Sequence, residues 1–166
     1  TCDIPIVLYN VPGRTGVGIA AETVARLVKN RNVLGVKEAA GSVERVSEIL
    51  SLCDTSIMCG DDSLTVPMML LGAKGVISVA SNIIPAELKK MTDACASGDF
   101  MTAVAMHRKY WRLFKDLFVE SNPIPVKAAM AMLGMIEEEY RLPLCPLSDV
   151  NREKLRKTVS ECIRSV

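Results

Sequence analysis

The chain has 166 residues, 49% of them hydrophobic, with 20 lysines and arginines against 19 aspartates and glutamates. That is the size of an ordinary domain with apolar residues enough for a sizeable core, which excludes an intrinsically disordered segment. Near-neutral charge with scattered basic residues excludes the electrostatic footprint of a nucleic-acid or anionic-membrane binder.

Four short apolar runs rich in β-formers read as strands: Ile4 to Tyr9, Val33 to Lys37, Ser56 to Cys59, and Gly75 to Val79. Between them, helical periodicity covers Glu22 to Lys29, Val43 to Leu52 and Leu64 to Leu71. This alternation predicts βα units forming a parallel sheet under helices. The runs are continuously apolar, as in strands buried on both faces. Only helices are predicted after the fourth strand: Pro85 to Ala96, Phe100 to Val119, Ile124 to Leu133, and Asn151 to Ile163 with Ser148 as N-cap. Gly72 and Gly134 fall where C′ glycines belong, and Pro67 falls near the first turn of its helix, where proline is tolerated.

Six cysteines show no C-x-x-C pair, and the single His107 completes no zinc ligand set, so reduced thiols in a cytoplasmic protein are expected and no metal. No apolar run approaches the roughly 20 residues that cross a bilayer, and no signal peptide is read at the start. Thr1 is read as a processing, cloning or cleavage point.

In βα folds chemistry gathers where strands end, because the strand holds a side chain rigidly while the loop shapes a pocket. The strand ends here are Tyr9, Lys37 with Glu38, Gly60 with Asp61, and Val79 followed by Ser81 and Asn82. Lys37, closing "VLGVKEAAG", either snorkels to water or is desolvated at the mouth of the fold. Desolvation favours a neutral amine able to attack a ketone and form a Schiff base. Tyr9 is then a neighbouring phenol able to shuttle protons, and Arg14 offers a planar fork to a carboxylate. Asn10 and Pro12 are read as shaping the turn. Glu38, Asp61 and Asp62 are read mainly as supporting or capping groups, Asn82 as bonding loop backbone. The methionines at 130, 132 and 135 are read as core filler, and His107 as packed or at the surface.

The segments "YNVPGRTG", "GVKEAAGS", "CGDDSL", "GAKGVISVASN" and "LFVESNPIPVKAAM", in that order, resemble the dihydrodipicolinate synthase family, pyruvate-dependent class I aldolases of diaminopimelate and lysine biosynthesis. The resemblance runs from Ile4 to the last helix. It implies that Lys37 condenses with pyruvate, Tyr9 relays protons, and Arg14 helps bind aspartate semialdehyde. It also implies that Ile77 turns its backbone carbonyl to the pyruvate and that Gly60 lines the pocket. No cofactor is implied. N-acetylneuraminate lyase is similar in fold and lysine chemistry, but Arg14 and "NPIPVK" favour the synthase.

The family fold is a TIM barrel, which needs eight strands and typically about 250 residues. The expected fold class is therefore α/β, half of a (β/α)8 barrel corresponding to its last four strands, plus C-terminal helices. Residues 1–83 are expected to form four βα units, and 84–166 the C-terminal helices with the last barrel helix. The resemblance places the paired threonines that bind the pyruvate carboxylate, and a second relay tyrosine, in the other half. A half sheet leaves two strand edges and one apolar face open, so a homo-oligomer or an assembly with an N-terminal half is expected. The competing expectation is a non-catalytic half-barrel acting as an assembly or regulatory piece.

Overall fold

The computed structural model describes residues 3–163. Thr1 and Cys2, of which the sequence reading treats one as a cut point and the other as a thiol, lie outside the described residues. The chain divides into two compact units, one holding residues up to Ser78 together with Cys95–Gly98, the other Val79–Ala94 and residues from Asp99 onward.

The first unit is built on a four-stranded sheet in the order β1 (Ile6–Asn10), β2 (Val33–Glu38), β3 (Ser56–Cys59), β4 (Gly75–Val76), every neighbouring pair parallel. The connecting helices are α1 (Pro12–Thr15), α2 (Ala21–Leu27), α3 (Glu44–Leu52) and α4 (Thr65–Leu70). The predicted strands are present, with the fourth cut to two residues. The Pro-Gly turn is instead one helical turn, α1, with Pro12 supplying the fixed φ of a first helical position.

Side chains alternate across the sheet. Val36, Ile57 and Cys59 are fully buried in a core with Val24, Val46, Ile49 and Met68 from the helices, and Leu8 packs against it. The opposite face is different: Val7 is 49% exposed and Tyr9 47%. Burial on both faces, expected from the apolar runs, is not met in β1. That strand is an edge, paired only with β2, and its register slips between Ile6 and Val7.

The second unit is helical: most of α5 (Pro85–Ser97), then α6 (Phe100–Asp116), α7 (Ile124–Met132) and α8 (Asp149–Ile163). Its core includes Tyr110, Leu113 and Phe114 from α6, Val126 and Ala129 from α7, and Leu155 and Val159 from α8. Asp99 caps α6 by accepting from Thr102 N at 3.1 Å. The buried Asp116 ties α6 to α8, accepting from Thr158 Oγ1 at 2.6 Å and facing Lys154 Nζ at 2.9 Å. Helix α8 starts two residues earlier than its periodicity suggests. Ser148 occupies the N-cap position, and its hydroxyl and amide donate to Glu120 Oε1 at 2.8 and 3.1 Å. Gly72 and Gly134 follow α4 and α7 with φ of 115° and 70°, the left-handed conformation expected of C′ positions.

His107 packs within α6 with its ring 6.2 Å from that of Phe114, and its buried Nδ1 has no hydrogen-bond partner among the described residues. Burial first, and the Arg108 charge second, hold the imidazole below its ordinary pKa. A depressed folded-state pKa means that stability is retained above the unfolded value, about 6.5, and declines as pH falls through it. Because this is the single histidine, His107→Gln should shrink the loss of stability between about pH 7.5 and about pH 5.5. Urea unfolding of both proteins at the two pH values checks this, and an equal loss in both would refute it.

Candidate active site

The carboxyl ends of the strands bring the sequence-predicted residues into two adjacent rows. Tyr9 on β1 is in register with Lys37 on β2, and Lys37 with Met58 on β3. The ladder continues one step past the strands. Ala39 N donates to Asn10 O at 2.8 Å, Gly60 N to Glu38 O at 2.8 Å, and Ile77 N to Cys59 O at 2.9 Å. By the two-residue alternation of strands, Lys37, Ala39, Met58, Gly60 and Ile77 share the face opposite the helices.

Lys37 is half-buried, and its Nζ lies 4.2 Å from the centroid of the Tyr9 ring. The amine stands partly in water and partly against the phenol ring, between the two readings of this lysine. The contact is with the face of the ring, a cation–π pair of about 0.5–1 kcal/mol at an exposed site. Arg14 is exposed on α1, the segment that leaves β1 immediately after the tyrosine strand. Ile77 is 43% exposed at the end of β4. Gly60 is required by close approach: a Cβ there would lie 2.5 Å from Ala39 Cβ and 3.1 Å from Glu38 O. Met58, Lys37's partner across the strands, is a neighbour the sequence reading did not single out.

A larger omission lies on the reverse face. Asn10 and Glu38, one residue beyond Tyr9 and Lys37, are 2% and 1% exposed. Asn10 Nδ2 donates to both Glu38 oxygens at 2.8 Å, Ala40 N donates to Oε1 at 2.9 Å, and Arg45 Nε to Oε2 at 3.4 Å. Asn10 Oδ1 accepts from Ile19 N at 2.9 Å, while Arg45 Nη2 donates to Ile19 O at 2.7 Å. Asn10 thus does more than shape a turn. The available signal was a polar pair, Asn and Glu, directly following two apolar strands.

Cys59 is in register with Glu38 on this buried side. Desolvation pushes its thiol up to about 12 against the hydrogen bond that Asp61 N donates to the sulfur, which favours the protonated thiol. The described cysteines, Cys53, Cys59, Cys95, Cys145 and Cys162, are free thiols. Among the described residues no group of His, Cys, Asp and Glu is placed to hold a metal, and no helix is long and apolar enough to cross a membrane. In the helical unit, Asn82 Nδ2 donates to Val79 O at 3.0 Å, the loop-backbone bond expected of it.

The profile of the dihydrodipicolinate synthetase family matches residues 1–162. The chain belongs to this family. It is 50% identical over 160 residues to a 4-hydroxy-tetrahydrodipicolinate synthase of Geobacter metallireducens and 53% identical over 161 residues to one of a Sulfurihydrogenibium species. Each match covers 95% of this chain and 55% of the relative, so the chain spans about half the length of the curated relatives it matches. Among solved structures, the 4-hydroxy-tetrahydrodipicolinate synthase of Methylacidiphilum fumariolicum superposes with a TM-score of 0.96 at 46% identity, covering 98% of this chain and 55% of that one. The dihydrodipicolinate synthase of Aquifex aeolicus gives 0.94 at 48%, covering 96% and 56%. The parallel sheet, its helices and the C-terminal helices therefore form the half of the dihydrodipicolinate synthetase fold expected from the resemblance: half a (β/α)8 barrel with a helical extension.

Proposed function

We propose that this chain carries the imine-forming half of a dihydrodipicolinate synthase-like lyase, which condenses pyruvate with aspartate semialdehyde. The observation that carries the reading is the half-buried Lys37 amine held against the Tyr9 ring at the carboxyl end of the sheet. In this chemistry the neutral amine of Lys37 attacks the ketone carbon of pyruvate. A carbinolamine forms, and loss of water gives the imine. Loss of a methyl proton converts the imine to an enamine, whose carbon attacks the aldehyde of aspartate semialdehyde. Tyr9 carries protons in the addition and dehydration steps. Arg14 receives the carboxylate of the aldehyde substrate through its planar fork. The Ile77 carbonyl faces the pyruvate, and Gly60 lets its strand pass close beside Ala39 at the pocket wall.

Borohydride added with pyruvate should leave one reduced pyruvyl group on Lys37, located by peptide mass mapping, and none on Lys37→Ala. A folded wild-type chain without the adduct would favour the non-catalytic half-barrel instead. The half-exposed Val7 and Ile77 on the open sheet face support an oligomer, either a second copy or a chain supplying further barrel strands. Sedimentation should give a mass above the 18.0 kDa of one chain, and a stable monomer refutes the assembly.

A further inference from the structure

The Asn10–Glu38–Arg45 network lies back to back with the Lys37–Tyr9 pair, on the same two strands one residue further on. Strand β1 is an edge held by β2 alone, and beyond Asn10 the chain departs into α1. A slip of one residue between β1 and β2 would turn Tyr9 away from the lysine's face. The network resists that slip. Glu38 collects donors from β1, from the loop after β2 and from α3, and any other register leaves a buried carboxylate short of partners. It also grips the segment carrying Arg14 at both ends, at Asn10 and at both backbone groups of Ile19.

We propose that Glu38, acting with Asn10 and Arg45, is a positioning residue that sets the Lys37–Tyr9 geometry and anchors the Arg14 segment from the reverse face of the sheet. This rests on the reading of Lys37 as the imine-forming amine. Functional pairs need placement within about half an ångström, which a fully partnered carboxylate on rigid strands supplies and an exposed edge strand does not.

The test compares the full chain with Glu38→Gln and the milder Arg45→Lys, which keeps the charge but loses the forked contact. Ile49→Val, a core change in α3, controls for lowered stability. All are studied at a temperature where circular dichroism shows them folded. At saturating pyruvate, Glu38→Gln and Arg45→Lys should trap the borohydride adduct about tenfold more slowly or worse, at an unchanged half-saturating concentration. Without pyruvate, formaldehyde and cyanoborohydride should methylate Lys37 about threefold faster in both variants, measured against the exposed Lys89 and Lys157. Ile49→Val should do neither. Wild-type trapping and methylation in both network variants, or equal losses in Ile49→Val, overturn the proposal. If the wild-type chain traps no pyruvate, the imine reading falls by itself. The methylation rate then decides on the network, and an unchanged rate in both variants refutes it.

Discussion

Tyr9→Phe is expected to fold with nearly unchanged stability and to form the pyruvate adduct about 10²–10⁴-fold more slowly, the range for loss of one positioned proton-transfer group. The substitution removes one hydroxyl and keeps the ring. The contact with Lys37 is made by the face of that ring, 4.2 Å from Nζ, so the cation–π pair and the shelter of the amine persist. Tyr9 is 47% exposed, so deleting the hydroxyl strands no buried partner. The variant therefore separates two roles of one side chain, the ring that shelters and the hydroxyl that moves protons. Single-turnover trapping across pH, with urea unfolding as the stability check, reads both. An unchanged trapping rate would show that the hydroxyl carries no proton in imine formation. A loss of several kcal/mol in stability would show that the ring's place depends on that hydroxyl.

Glu38→Ala should lower the unfolding free energy by about 3–5 kcal/mol, the range for breaking a buried ion pair from one side. Glu38 is 1% exposed and accepts from Asn10, Ala40 and Arg45. Its removal leaves the Asn10 amide and the Ala40 amide without their acceptor, and leaves the Arg45 guanidinium, 18% exposed, without the buried charge it faces. A contrast sets the scale. The Arg31–Asp3 pair is 85% and 87% exposed, so Arg31→Ala should change stability by about 1 kcal/mol or less. Urea titrations of the two variants measure both. A Glu38→Ala loss as small as that of Arg31→Ala would mean that Arg45 turns to water and the network relaxes without cost.

The alternation of apolar strands and periodic helices, the C′ glycines and the strand-end positions of Tyr9 and Lys37 were all legible in the residues, because each depends on local period or on a motif within a few positions. Residue order and motif spacing also placed the chain in its family and in half of a barrel fold. Three features were decided only in three dimensions. The length of a strand depends on its neighbours, so β4 keeps two of five expected residues. Exposure of the second sheet face depends on what covers it, which apolar content does not reveal: Val7 looks like a core residue and stands half in water. The partnership of Asn10, Ile19, Glu38 and Arg45 joins residues up to 35 positions apart through register and helix placement. A buried carboxylate takes whichever donors the tertiary structure brings to it, and sequence distance carries no trace of that choice.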